Sequence, residues 1–179
     1  MDHPQHHLPR ANDSFTQTPR RAKTLLGHAK ALLARDAISS LHEVEPIILF
    51  EQIRSRLREP AAAKGVALRL DGTCRRVRVQ PTSFCEALYQ LTHNAVEAAR
   101  RGHAVDVDVR DTAEGDVVWQ IHDHGEGMSL RELRELGLPR LNSGLGVMFA
   151  WAVVEHHGGL LHFESAPGGG TTATIWLPG

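Results

Sequence analysis

The chain has 179 residues, 41% of them hydrophobic, with 20 basic and 21 acidic side chains and a formal net charge of −1. That length holds one domain with a short appendage, and the apolar content suffices for a packed core. The near-neutral balance provides no field for nucleic acid or for an anionic membrane surface, and no apolar run approaches the roughly 20 residues of a spanning helix.

The N-terminus is rich in His and Pro and lacks the apolar core of a leader. Cys74 and Cys85 are isolated thiols without metal-type spacing, as expected of a reduced, cytoplasmic protein without membrane contact. Residues 1–18 are polar and broken by Pro4 and Pro9, the composition of a disordered tail. From Pro19 to Leu41 the pattern is helical. Ala22, Leu25, Leu26, Ala29, Leu32 and Leu33 form an apolar stripe with Arg and Lys between them. The run Glu43 to Pro46 interrupts it.

A second helix is predicted from Pro46, well placed at a first turn, to about Arg58, with Leu49, Phe50, Ile53 and Leu57 as its stripe and Pro60 to Gly65 closing it. Two short strands follow, Val66–Leu70 and Arg76–Val79, with Asp71-Gly72-Thr73 as the turn between them. Another helix starts near Pro81, with Ser83 and Glu86 spaced as a capping box, and runs to Arg101 before Gly102. Its stripe is Phe84, Leu88, Leu91, Ala95 and Ala98. Alternation at Val105, Val107, Val109 and at Val117, Trp119, Ile121 predicts half-buried antiparallel strands joined near Glu114-Gly115. Leu130–Leu136 reads as a short helix, 137–143 as a loop, and Gly146–His157 as a helix. Two closing strands, Leu160–Glu164 and Thr172–Leu177, are linked by Ala166-Pro167-Gly168-Gly169-Gly170. Strands before and after helices with hairpin connections predict an α+β fold. One mixed, mostly antiparallel sheet is covered on one face by helices in a two-layer α/β sandwich, preceded by the N-terminal helix.

Three segments carry candidate chemistry. Glu86, Gln90, Asn94 and Glu97 line one polar strip of the helix at 81–101. An Asn there offers a neutral oxygen to a hard cation such as Mg²⁺, which completes its shell with phosphate oxygens, and Gln90 one turn earlier can meet the same ion or orient a water. Asp123 ends a strand and is followed by Gly125 and Gly127, which permit a tight turn and close approach of a ligand to backbone. A carboxylate at the base of such a pocket accepts from an exocyclic amine, as on adenine. Gly144-Leu145-Gly146 opens a helix whose free N–H groups attract phosphate, and Arg140 lies in the loop before it. Gly170-Thr171-Thr172 opens the last strand as a pocket wall. Singly, each also reads as ordinary structure: a solvated helix face, a strand-end turn, a loop-to-helix junction, a hairpin end. The ordered set points to a nucleotide site.

Together these segments resemble the ATP-binding domain of the GHKL superfamily, specifically of sensor histidine kinases, over about residues 44–178. Asn94-Ala95 resembles the N box. Asp123, Gly125 and Gly127 resemble the first glycine box, Gly144-Leu145-Gly146 the second, and Gly170-Thr171-Thr172 the last glycine motif. The resemblance implies domains at 1–18 (tail), 19–43 (part of a dimerisation hairpin) and 44–179 (ATP-binding). It also implies ATP and Mg²⁺ as ligands, with Asn94 at the metal; Gln90, one turn earlier, is expected beside it as a second metal and catalytic residue from its position on the strip. Ala98, Asp123, Gly125, Gly127, Met128, Arg140, Gly144, Leu145, Gly146, Thr171 and Thr172 would surround the nucleotide, with Asp123 reading the adenine amine. The implied activity is transfer of the ATP γ-phosphoryl group to a histidine. The implied partners are a response regulator or a histidine-bearing phosphotransfer protein, and a second copy through the N-terminal helix.

Departures qualify this. Gln90 stands where histidine kinases have Asn or His and related ATPases a catalytic Glu, and an amide is a poor general base. The lid is short and lacks paired phenylalanines. No acceptor histidine followed by an acidic residue and a proline occurs, so transfer is expected in trans or to a missing segment. The isolated chain is not expected to label itself, with His42-Glu43 the one exception to test. Two other readings share these residues: a non-catalytic ATP-binding interaction module, and a serine kinase of the anti-sigma-factor type. His156 and His157 are expected to be favoured as cations at a helix C-terminus.

Overall fold

The structure, a computed structural model, describes residues 41–73, 75–136 and 145–179. The tail at 1–18, the helix at 19–41 apart from Leu41, Cys74, and the loop at 137–143 with Arg140 and then Gly144 lie outside the described residues.

The expected interruption after Leu41 is a short strand, β1 (His42–Val44), which pairs antiparallel with β3 (Val77–Val79). Pro46 does sit at the first turn of α1 (Pro46–Lys64), and Leu49, Phe50, Ile53 and Leu57 are buried as expected. The helix runs on through Pro60, correcting the end placed near Arg58. A proline inside a helix removes a hydrogen bond and costs about 3 kcal/mol in an unsupported helix. Here Leu57 and Ala61, on either side of it, are buried in the core, and the left-handed Gly65 (φ 69°) closes the helix with its N–H on the carbonyls of Ala61 and Ala62.

β2 (Ala67–Thr73) contains the segment Asp71-Gly72-Thr73 expected to turn. It cannot turn there, because β2 pairs in parallel along its whole length with β4 (Ala104–Asp111). β2 and β3 therefore belong to different sheets. The main sheet has the order β2-β4-β5-β7-β6, with β5 (Val117–Asp123), β6 (Leu160–Ala166) and β7 (Gly170–Leu177) joined antiparallel. The mixed, mostly antiparallel sheet and the α+β sandwich agree with expectation.

Helix α2 (Pro81–Ala98) is capped by Gln80, whose side chain accepts from the N–H of Ser83, and not by a Ser83–Glu86 box. Glu86 instead accepts from Arg56 on α1 at 2.8 Å. The helix stops at Ala98, short of Arg101, because Ala99 turns extended and bridges to Gly125. α3 (Leu130–Arg134) carries a capping box between Ser129 and Glu132, and α4 (Leu145–His156) packs beside α2. The helices α1, α2 and α4 bury their stripes on the sheet face formed by Val105, Val107, Val109, Trp119, Ile121 and Ile175. Trp119 is fully buried, edge-on to Phe50 and Phe84 at 5.4 and 5.9 Å. Trp151 and Trp176 are half-buried packing residues, and Trp151 donates to the Leu161 carbonyl at 3.2 Å. No helix among the described residues is long and apolar enough to cross a membrane.

Candidate nucleotide site

A cavity of about 710 Å³ opens between α2, the end of β5, the start of β7 and α3. Of the residues singled out in the sequence, Asn94, Glu97, Ala98, Asp123, Gly127, Met128 and Thr171 line it. Leu91, Ala95, Ile121, Val147, Phe163 and Ala173 add apolar wall.

Asp123 is the last residue of β5 and only 3% exposed. Its Oδ1 accepts from the Gly125 N–H at 2.7 Å. Burial pushes its carboxyl above the usual range, while the backbone N–H groups of Gly125 and Thr171 and the neighbouring His122 and His124 pull it back. Two backbone N–H groups thus hold a carboxylate that has about four lone-pair sites, which leaves acceptor capacity for a ligand amine. Gly125 has no room for a side chain, since a Cβ would strike the Ala98 carbonyl and Asp123 Oδ1. Gly127 is left-handed (φ 66°) and passes against the Ala166 carbonyl. The loop is fixed from the other side too. The Gly168 N–H donates to the Glu126 carbonyl at 2.6 Å, and the Met128 N–H to Ser165 Oγ at 2.8 Å. Ser165 in turn donates to the Gly170 carbonyl at 2.8 Å and meets Thr171 Oγ1 at 3.0 Å.

The polar strip divides. Asn94 is exposed on the cavity wall. Gln90 is not among the lining residues. Its Nε2 donates to Glu86 Oε1 at 2.7 Å, and its Oε1 lies where a Cβ on Gly146 would fall, 2.5 Å away. Gly146 thus admits close packing of α4 on α2, and Val147 supplies the wall beside it. Leu145 opens α4, with its side chain outside the description. Thr172 needs correcting as a pocket residue. Strand alternation turns its side chain to the opposite face of the sheet, where Oγ1 meets His122 Nδ1 at 2.9 Å. His124 lies 3.5 Å from Asp106 and packs edge-on to His122, outside the cavity lining as well.

His157 also departs from expectation. It is 8% exposed, accepts from the Gln80 N–H through Nε2 at 2.9 Å, and donates from Nδ1 to the Val153 carbonyl at 2.7 Å. Burial lowers its pKa, so it is held neutral and not as a helix-end cation. Sequence reasoning missed Lys64, Arg100 and Phe163 on the cavity wall and Ser165 beneath it. No spacing signals them, because Lys64, Phe163 and Ser165 arrive from other elements and Arg100 follows the early end of α2 at Ala98. Among the described residues no group of three or more His, Cys, Asp or Glu is arranged to hold a metal.

Residues 79–179 match the family model described as histidine kinase-, DNA gyrase B-, and HSP90-like ATPase. The chain is 34% identical over 108 residues to the sensor histidine kinase ZraS of Klebsiella oxytoca, a match covering 58% of this chain and 23% of that protein. It is 31% identical over 103 residues to sporulation kinase B of Bacillus subtilis, covering 54% and 24% respectively. The chain therefore spans about a quarter of the length of these relatives. In fold it resembles the mycobacterial sensor histidine kinase MprB, with a TM-score of 0.70 at 24% identity over 78% of this chain and 97% of that one. It also resembles the Acinetobacter baumannii histidine kinase AdeS, with a TM-score of 0.72 at 16% identity over 88% and 75%. The chain belongs to the histidine kinase-, DNA gyrase B- and HSP90-like ATPase family, and its ATP-binding catalytic domain is of the sensor histidine kinase kind.

Proposed function

We propose that this domain binds Mg²⁺-ATP and passes the γ-phosphoryl group to a histidine presented in trans or by another segment of a longer protein, within a cytoplasmic two-component pathway. The observation that carries the reading is the placement of Asn94 and Asp123 on two walls of one cavity, with the loop after Asp123 pinned by its neighbours. Asp123 accepts the adenine amine. Asn94 supplies a carbonyl oxygen of the kind Mg²⁺ takes when its other ligands are phosphate and water. The donor chemistry fits the ion on a second count. Among the described residues, the carboxylates of Glu97, Asp123, Glu126, Glu132 and Glu135 line the cavity against the cations Lys64 and Arg100, a balance under which a triphosphate gains from added positive charge. Bound Mg²⁺ neutralises charge on the phosphate oxygens.

Gln90 favours a histidine acceptor over water. Hydrolysis needs a base to activate water, and an amide tied to Glu86 is none. A neutral imidazole is already a nucleophile. Its nitrogen forms the new bond to phosphorus as the bond to the ADP oxygen breaks. We propose Asn94 as the catalytic and metal-facing residue, with Gln90 behind it holding α2 against α4. Arg140, Gly144 and Leu145 are proposed as further nucleotide-binding residues, on the resemblance alone, since Arg140 and Gly144 lie outside the described residues. A response regulator or histidine phosphotransfer protein is the proposed onward partner. The segment 19–41, expected from its sequence to be helical, is proposed to pair two copies; Leu41, Ile47 and Ile48, at and after its end in the sequence, are 43%, 54% and 50% exposed. A monomer in light scattering at high concentration would refute that pairing.

Labelled ATP tests the reaction. The chain alone should acquire no label, and adding a separate histidine-bearing helical hairpin should yield acid-labile label on the hairpin. Acid-stable label would indicate a serine acceptor. Absence of label with ATP bound would favour the non-catalytic module. Acid-labile label on the isolated chain, abolished by His42→Gln, would make it self-sufficient.

A further inference from the structure

Lys64 is the last residue of α1 and reaches the cavity wall from an element that carries none of the recognised motifs. Its Nζ donates to the Glu97 carbonyl in the last turn of α2. Two residues on, Ala99 bridges to Gly125, which is itself bonded to Asp123. These links place Lys64 at the Asp123 end of the cavity, away from the end formed by Val147 and α4. Ala98 beside it lines the same cavity, is exposed and contributes only a methyl group.

The side chain is also rooted in a fixed corner. The Gly102 N–H donates to the Gly65 carbonyl at 2.8 Å, the Ala67 N–H donates to the His103 carbonyl at 2.9 Å, and the Arg101 side chain lies over Gly65. Three connections (64–67, 97–103 and 123–127) are thus stitched together. An ammonium has three donors, and the Glu97 carbonyl takes one.

From this geometry we propose that Lys64 is a second base-reading residue, donating a hydrogen bond to a purine ring nitrogen that flanks the exocyclic amine taken by Asp123. The inference rests on the proposed placement of ATP, with its adenine amine on Asp123 and its Mg²⁺-bound phosphates at Asn94. A carboxylate for the amine and a cation for an adjoining ring nitrogen give a donor–acceptor pair that guanine, with a carbonyl in place of the amine, does not match. Discrimination of this kind arises when a mismatched ligand leaves buried polar groups unpaired.

The test is a cycle by calorimetry with the full chain, using ATP, adenosine, 1-deaza-ATP and 7-deaza-ATP, in which a ring nitrogen is replaced by CH. Binding of ATP by the parent tests the underlying reading; if none is detected, that reading fails and this one with it. Where ATP binds, one deaza analogue should bind the parent about fivefold to tenfold more weakly, as for loss of a hydrogen bond to a charged donor. Lys64→Met should lower ATP and adenosine affinity by a similar factor, and the deaza penalty should vanish in that variant. Lys64→Gln, which keeps a donor for the Glu97 carbonyl, checks the outcome if Lys64→Met folds poorly. A purely structural Lys64 would change thermal stability while leaving both deaza penalties unchanged. That result, or equal binding of ATP and both deaza analogues by the parent, overturns the proposal. So does a loss that grows with the number of phosphates, which would place Lys64 at the wrong end.

Discussion

At the Asp123 end of the cavity each hydrogen bond that ties the loop engages a main-chain group, whereas at the Asn94 end pairs of side chains carry most of the contacts between helices. Asp123, Gly125, Glu126, Met128, Ser165, Gly168 and Gly170 share a web of hydrogen bonds, each with a main-chain group at one end or both and with Asp123 Oδ1 and Ser165 Oγ as the side-chain partners, that joins β5 to the β6–β7 hairpin. Across the cavity, α2 meets α1 and α4 through Arg56, Glu86 and Gln90, and through His157 on Gln80. The first arrangement makes a rigid template for a base of fixed shape. In the proposed reaction the second would let the polar strip adjust around Mg²⁺ and the transferring phosphoryl group.

The comparison breaks most severely at Gly127. Gly127→Ala demands a left-handed alanine, at about 1–2 kcal/mol, and drives its methyl into the Ala166 carbonyl, so the total should reach about 2–5 kcal/mol. Thermal melts should show the loss, with nucleotide binding abolished. A parent-like melting temperature would mean that the backbone web is slack.

Asp123→Asn separates function from stability at the same end. Asn keeps an oxygen for the Gly125 and Thr171 N–H groups but can present a donor where the amine needs an acceptor. ATP affinity should fall at least tenfold, on the scale of about 1–3 kcal/mol for an unmatched buried polar group. Stability at neutral pH should hold or rise. The Asp123 carboxyl is pushed above its usual range by burial, so its ionised form is disfavoured in the fold, and the neutral amide removes that cost. A large drop in melting temperature would show the charge to be structural.

The backbone-held end was the more legible in sequence. Asp123, Gly125 and Gly127 announce a tight turn by residue type, and alternation at Val105–Val109 and Val117–Ile121 fixes the strands that deliver it. What sequence hid depends on partners far along the chain. β2 runs through Gly72 because β4 lies beside it, and α2 ends at Ala98 because Gly125 captures Ala99. Gln80 caps α2 where Ser83 and Glu86 had the better spacing, since Glu86 is drawn to Arg56. Thr171 and Thr172 were inseparable until the register with β5 set which one faces the cavity. Periodicity also gave Gln90 and Asn94 the same face, while packing of Gly146 on Gln90 divided their roles.

That division supplies the third test. Asn94→Ala should weaken Mg²⁺-ATP binding by about 1–2 kcal/mol, the scale of one lost polar contact, and metal-free binding much less. Gln90→Ala should alter Mg²⁺-ATP affinity by less than about threefold and act mainly on stability, through the contact of α2 with α4. Equal metal-dependent losses in both variants would return Gln90 to the cavity.

The smallest expected effect concerns pH and the side-chain-held end alone. His157 joins α4 to the N-terminus of α2 as a neutral imidazole, and burial holds its pKa below the ordinary value of 6.5. The unfolded chain therefore takes up a proton at a pH where the folded chain does not. The stabilisation is fully present above 6.5 and is lost as pH falls from there through the lowered folded value. One proton limits the slope to about 1.4 kcal/mol per pH unit. Asp123, with its raised pKa, contributes a slope of opposite sign, so the cleanest measurement uses denaturant melts in the Asp123→Asn background. Hydrogen exchange there should show α4 amides losing protection on acidification before those of β5 and β7, which keep their ladder whatever the state of His157. His157→Gln should flatten this dependence while lowering stability at neutral pH, because an amide cannot reproduce both the acceptor for the Gln80 N–H and the donor to the Val153 carbonyl from the same ring geometry. Simultaneous loss of protection in α4 and the sheet would mean that the two ends of the cavity are not mechanically separate.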